Sequence, residues 1–202
     1  GHVFRSLVKP SPAARLRRVL LDSLAQHRLL TAERDVLERT LAGAVQVLTE
    51  VLGLVSPEAF GRAARLKACV AHLARQLHLP GAWQFEVAAM LSQIGYIALP
   101  AETLSKLMSG GALSAEEQDQ AAGAPNTARA LLGRIPRFEE VAQIVALAPP
   151  PADLGEVPDA AGFAASPATT QGAWLLRVAL ALDERMMRGL DERAALADLR
   201  RP

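Results

Sequence analysis

Aromatic side chains make up only 4% of this 202-residue chain, so any core it builds has to come from Leu, Val and Ala. Its single cysteine, Cys69, excludes an intrachain disulfide and a cysteine-rich zinc site, which fits a reducing, cytoplasmic setting. The four histidines are His2, His27, His72 and His78. His72 and His78 stand six apart on a predicted helix and so on different faces, which argues against a paired metal site. No apolar run reaches the roughly 18 residues that a membrane-spanning helix needs. The N-terminus also lacks a basic stretch followed by an apolar run, the pattern of a secretory leader. Charge nearly cancels, with 22 Lys plus Arg against 21 Asp plus Glu, so the total makes no demand for nucleic acid or an anionic membrane. Gly-rich phosphate loops are missing too; Gly110-Gly111 reads as a turn.

Half of the residues are hydrophobic, enough for a substantial core. They recur at helical spacing without alternating β-branched runs, which predicts an all-α protein. From Ala13 to Val55 there is no proline. Leu30, Leu37, Ala44 and Val51 repeat every seven residues, and Leu41, Leu48 and Val55 form a second set offset by four, with Arg34 at one core position. This is the seam of a two-helix coil, and a helix of some 40 residues would project roughly 60 Å. The stretch is therefore expected to dimerise with its copy; the alternative is two ordinary helices broken near Thr31. Ser56-Pro57-Glu58 starts a further helix, with Leu66, Val70, Leu73 and Leu77 on one face, ending near Leu79-Pro80-Gly81. The next helix should bury Trp83, Val87, Met90, Leu91 and Ile94 and stop at Gly95, and Pro100 should open its successor. Ser114-Ala115-Glu116-Glu117 is a capping-box pattern, a better account of the two glutamates than catalytic acids. Pro125 begins another helix, and Arg137 to Leu147 should turn Phe138, Val141, Ile144 and Val145 inward. Residues 148–168, rich in Pro and Gly, read as a loop. The last long helix, Gln171 to Met187, should bury Leu175, Val178, Leu182 and Met186. Asp191 is placed to cap a terminal helix ending near Arg200. Cys69 reads as a small buried hydrophobe.

The run Ile94-Gly95, Ile97, Leu99-Pro100, Leu104 and Lys106 resembles the centre of an HD-GYP domain, the metal-dependent phosphohydrolase family that cleaves cyclic di-GMP. The resemblance extends from about Ser56 to Arg188. In that family a His-Asp pair of metal ligands precedes this Ile-Gly and a catalytic Lys follows it; here Ser92, Gln93 and Tyr96 hold those places. The resemblance puts the first ligand His on Arg62, three residues before Arg65, and the His of a helix-opening His-Pro on Ala124, before Pro125. An adjacent His-His pair falls on Ala148 and Pro149. The family's Asp-Gly-x-Gly-Tyr-Pro loop falls on Asp153 to Pro158 and keeps its first Asp and last Pro. The late ligand Asp falls on Leu180, and a second Asp of that segment matches Asp183. Residues 2–10 read as a short strand, and Lys9-Pro10 resembles the last strand and turn of a response-regulator receiver, with a strand-like arm leading into a helix as the alternative.

Coordination chemistry decides what these replacements imply. Ala, Pro and Leu donate no side-chain lone pair, and Arg62 brings a permanent positive charge to a place that resembles a cation site. Without a metal there is no low-pKa water to attack a phosphodiester. The resemblance therefore implies an HD-like helical bundle, with residues 1–30 as a receiver remnant, 31–55 as a signalling helix and 56–202 as a degenerate HD-GYP-like domain. Expected function is non-catalytic signal transduction in a two-component system, by homodimerisation and contacts with other signalling proteins, without cofactor, metal, nucleic acid or membrane. The alternatives are a cyclic-di-GMP phosphodiesterase with an unfamiliar ligand set and a sensor that binds the nucleotide without cleaving it. For the sensor, Arg65, Lys106 and Arg188 would join Arg62 as anion contacts; scattered surface charge is the competing account.

Overall fold

The computed structural model describes residues 17, 21–23, 26, 27, 41, 43–148 and 158–199. The chain divides into two units, Gly1–Gln46 and Val47–Pro202. That division falls inside the stretch 31–55 set apart by its heptads. In the first unit every described residue is helical. The expected N-terminal strand, Leu30 and Leu37, and Pro149 with the segment up to Val157 lie outside the described residues.

The second unit opens with helical residues 47–55, which bury Thr49 and Leu52. Leu52 packs with Ala59 and Ala63, and Ile97 and Met108 lie against them. Ser56 then starts α1 (Pro57–Gln76) as its sequence predicts: its Oγ accepts from Ala59 N at 3.1 Å, and Pro57 sits in the first turn, where no donor is lost. α1 buries Ala59, Arg62, Ala63, Leu66, Val70 and Ala74. Leu73 is only half-buried and Leu77 is exposed, so the buried stripe runs through alanines where counting large residues put leucines.

α2 (Ala82–Leu91) lies at the centre, against α1 and two later helices, α6 (Glu139–Leu147) and α8 (Ala168–Met187). Its buried residues are Phe85, Val87, Ala88, Ala89 and Leu91, while Trp83 is exposed and Met90 half-buried. A helix apolar on nearly all sides is enclosed on nearly all sides, so no single stripe marks its inner face. Gly95 does not stop this helix. The α-helix passes into a 3₁₀ segment, Ser92–Ala98, and Gly95 lies inside it. A Cβ there would stand 2.0 Å from the Ala124 carbonyl oxygen, so the glycine is what lets the 3₁₀ segment meet the start of α5 (Ala124–Leu132).

After Pro100 comes α3 (Ala101–Met108), and α4 (Ala115–Ala122) has both bonds of the capping box: Glu117 N donates to Ser114 Oγ at 3.2 Å and Ser114 N to Glu117 Oε2 at 2.8 Å. α6 turns Phe138, Val141, Ile144 and Val145 inward as its spacing predicts. Within the segment read as a loop, Asp159 caps a short helix, α7 (Ala160–Ala165), its Oδ1 accepting from Gly162 N at 2.7 Å. α8 starts at Ala168 and buries Gln171, Gly172, Ala173, Leu175, Leu176, Ala179, Leu180, Ala181 and Asp183. Val178 and Leu182 are half-buried and Met186 is exposed, so the true inner face is rotated toward small residues. The reason is close packing: a Cβ on Gly172 would lie 2.6 Å from the Phe85 ring and 2.8 Å from Ile144. Asp191 caps α9 (Glu192–Leu199), accepting from Ala194 N at 2.8 Å. All described secondary structure is helical, the bundle that the composition implies.

Candidate functional site

Residues far apart in sequence converge on one small cavity of about 30 Å³. α1 supplies Arg62, the 3₁₀ segment Ser92, Gln93 and Tyr96, the start of α5 Pro125, the end of α6 Val145 and Ala148, and α8 Leu176 and Leu180. Most positions singled out by resemblance are thus brought together: Arg62, Ser92, Gln93, Tyr96, Ala148 and Leu180 line the space, and buried Ala124 precedes Pro125 in its wall. Val145 and Leu176 complete the lining without having been singled out; being ordinary apolar residues, they carry no sequence signal.

The charged part of the site is one carboxylate held by two guanidiniums. Arg62 Nε donates to Asp183 Oδ2 at 2.9 Å, and Arg65 Nε donates to Asp183 Oδ1 at 2.7 Å. Arg62 and Asp183 are both buried, whereas Arg65 is 54% exposed and spans the edge of the bundle. Each oxygen of Asp183 therefore has a charge-assisted partner. Beside it, Gln93 is fully buried; its Nε2 donates to Ser92 Oγ at 3.0 Å, and Ser92 Oγ donates to Ala89 O at 2.8 Å. Gln93 Oε1 has no partner among the described residues. About 30 Å³ admits a water molecule, and Gln93 Oε1 offers it an acceptor. Burial raises the Tyr96 phenol above its ordinary range; the Arg62 charge opposes that shift and Glu184 reinforces it.

Two of the expected anion contacts are engaged elsewhere. Lys106 Nζ bonds Glu117 at 2.9 Å and Glu102 at 3.1 Å, and Arg188 pairs with Glu184; neither Lys106 nor Arg188 lines the cavity. Hydrogen bonds to Glu117 and then Glu102 raise the Lys106 ammonium, while the Ser114 amide and Lys106 hold Glu117 down at about 2. Cys69 is half-buried; burial, then Glu192 and Asp183, push its thiol up, away from the thiolate that nucleophilic work requires. His72 and His78 are exposed on α1 and just beyond it.

The donor set among the described residues does not fit a metal ion. Among the described residues no group of three or more His, Cys, Asp or Glu is assembled for one. Asp183, which is bonded to the cavity-lining Arg62, already has both oxygens bound by arginines. A divalent ion needs several carboxylate, carbonyl or imidazole ligands within about 2 to 2.6 Å, and beside alanine, leucine and guanidinium the described lining offers only the neutral oxygens of Ser92, Gln93 and Tyr96.

The HD domain family model matches residues 46–148, just over half of the chain and the part that holds α1 to α6. This chain belongs to the HD domain family. The match takes in the cavity-lining part of α1, the 3₁₀ segment and α5, so this HD domain is built around the place where Arg62, Ser92, Gln93 and Tyr96 meet. No curated protein and no solved structure gives a further match. Among the described residues, no helix of this HD domain is long and apolar enough to cross a membrane.

Proposed function

We propose that this HD domain is a degenerate member of the HD-GYP type, working in the cytoplasm without catalysis as the output module of a response regulator. The observation that carries the reading is the Asp183 cluster: at this acidic position retained from the resemblance, two arginines occupy the carboxylate, and hydrocarbon, amide and hydroxyl groups wall the cavity beside it. An arginine pair is a fixed counter-charge to Asp183. It neutralises the carboxylate as a cation would, but activates no water. Metal analysis of purified protein together with a cyclic-di-GMP hydrolysis assay tests this. Less than a tenth of a metal per chain and no turnover are expected; stoichiometric transition metal or magnesium-dependent hydrolysis sinks the reading. The sensor alternative gains no support from the cavity, which at about 30 Å³ admits a water and not a nucleotide.

Signalling by such a module requires a surface, and helical residues 47–55 supply one. Val47, Val51, Leu54 and Val55 fall on one face at offsets 0, 4, 7 and 8 and are exposed, Leu54 by 84%. Leu52 on the opposite side is in the core. The exposed face contains Val51 and Val55 of the heptad stripe, which supports self-association through that stripe. Light scattering should give about twice the 21.5 kDa chain mass, and Leu54→Lys with Val51→Lys should halve it. A wild-type mass equal to one chain rejects the dimer without touching the non-catalytic reading.

A further inference from the structure

The ion cluster leaves one charge and two donor groups over at the small cavity. Two guanidiniums meet one carboxylate, so Arg62, Arg65 and Asp183 together carry one positive charge more than they neutralise. Glu184, close enough to act on Tyr96, is paired with Arg188. Arg65 stands half in water, which screens it, whereas the Arg62 side chain is 8% exposed. Arg62 holds Asp183 through Nε alone. Among the described residues its two terminal amino groups have no acceptor, and Arg62 lines the cavity.

The rest of the wall favours the same sign of occupant. Burial keeps the Tyr96 phenol protonated, so its O–H is a donor at this cavity. α5 begins here with Pro125 in the wall, and no side chain caps its first turn, so the positive end of its peptide dipoles lies at the cavity. Gln93, fully buried, bonds Ser92 through one end of its amide and leaves the other end unpartnered. A half-turn of that amide exchanges its ends, presenting Nε2 to the cavity while Oε1 accepts from Ser92 Oγ. Val145, Leu176 and Leu180 close the remainder with hydrocarbon, which strengthens charge interactions inside. A water molecule satisfies single donors and acceptors but brings no compensating charge. At about 30 Å³ the space limits the occupant to a single small ion.

We propose that this cavity binds a small monovalent anion of chloride size, held by the Arg62 amino groups, the Tyr96 hydroxyl and the Gln93 amide. The inference rests on the geometry beside Asp183 and not on the signalling role of the domain.

Tyr96 is the one tyrosine of the chain, so 3-fluorotyrosine introduced during expression reports from this cavity alone. The full chain is titrated with sodium chloride in exchange for sodium gluconate at constant ionic strength, which fixes screening and changes only the size of the anion. The fluorine resonance should move saturably between about 1 and 100 mM chloride, with bromide acting alike. The melting temperature should rise over the same range. Gln93→Glu, nearly unchanged in size, brings a carboxylate to the Arg62 amino groups and should weaken chloride binding about tenfold or more. Ala148→Val fills the space with two methyl groups and should do the same by volume should the first variant fold poorly. A resonance that moves no further in chloride than in gluconate overturns the proposal, as does undiminished chloride affinity in either folded variant. A shift that grows linearly without saturating overturns it as well and assigns the response to bulk salt.

Discussion

Two carboxylates in this HD domain each draw in basic side chains, and they differ in what holds them. Asp183 is buried, receives one guanidinium from inside the bundle and one from its edge, and joins α8 to α1 across 118 and 121 residues of sequence. Glu117 stands on a helix start, where the Ser114 amide, Lys106 and Thr103 all donate to it. The first is a long-range tie in a low-dielectric interior; the second is a local cap reinforced by an exposed lysine. In the interior a missing partner leaves a charge that water cannot reach, whereas at the surface water substitutes for it. The lesson for the site is that Arg62 and Asp183 are kept as a pair because each makes the other tolerable.

The largest effect should follow from breaking that pair on one side. Asp183→Ala leaves Arg62 buried and uncompensated and should cost about 3 to 5 kcal/mol in denaturant unfolding. The double variant Arg62→Met with Asp183→Leu replaces the pair by hydrocarbon of similar size and should recover most of that loss, because Arg65, half in solvent, turns outward. A double variant as unstable as Asp183→Ala alone would show that the cluster contributes more than mutual neutralisation. A comparable loss is expected from Gly95→Ala, whose methyl would overlap the Ala124 carbonyl and force the 3₁₀ segment off α5. An unchanged melting temperature there would contradict the close approach.

The contrast also explains what the sequence made legible. Local chemistry was readable: Ser56-Pro57, the Ser114 to Glu117 box and the Asp191 cap each need residues only a few positions apart, and each is found in place. Inner faces were harder. On α8 the buried surface is built from Gly172, Ala173, Ala179 and Ala181, where close helix contact demands small residues, so weighting by large hydrophobes rotates the predicted face toward Val178 and Met186. α2 is apolar nearly all round and gives no face to read, and Gly95 has the look of a helix stop because the carbonyl it accommodates is 29 residues away. Of the site, the positions that line the cavity were indicated by resemblance. The bonds of Arg62 and Arg65 to Asp183 were not, since an ion pair over such a separation leaves no periodic trace.

A smaller effect should appear at Glu117, and its pH dependence sharpens the comparison. The bound amide and ammonium hold its carboxyl at about 2, below the ordinary 4.5. Its stabilisation is therefore complete above about 4.5 and is lost as the pH falls toward 2. Glu117→Gln should lower the melting temperature near neutrality and narrow the gap to wild type across that window. A gap that stays constant from pH 7 to pH 2 would show that the cap works through packing and not through charge.

The smallest effect is expected at the neutral edge of the buried cluster. Gln93 Oε1 has no partner among the described residues and borders a space of about 30 Å³, so its amide is only half satisfied by Ser92. Gln93→Met keeps the length of the side chain, removes the orphaned acceptor and the donor to Ser92 together, and leaves Ser92 Oγ its bond to Ala89 O. Loss of both polar groups at once is close to neutral, within about 1 kcal/mol of wild type. If a water occupies the space and bonds the amide, the same change costs about 1 to 3 kcal/mol, because the water then loses its acceptor. Chemical denaturation separates the two outcomes, and only the second would make the cavity's contents as much a part of the interior as the pair beside it.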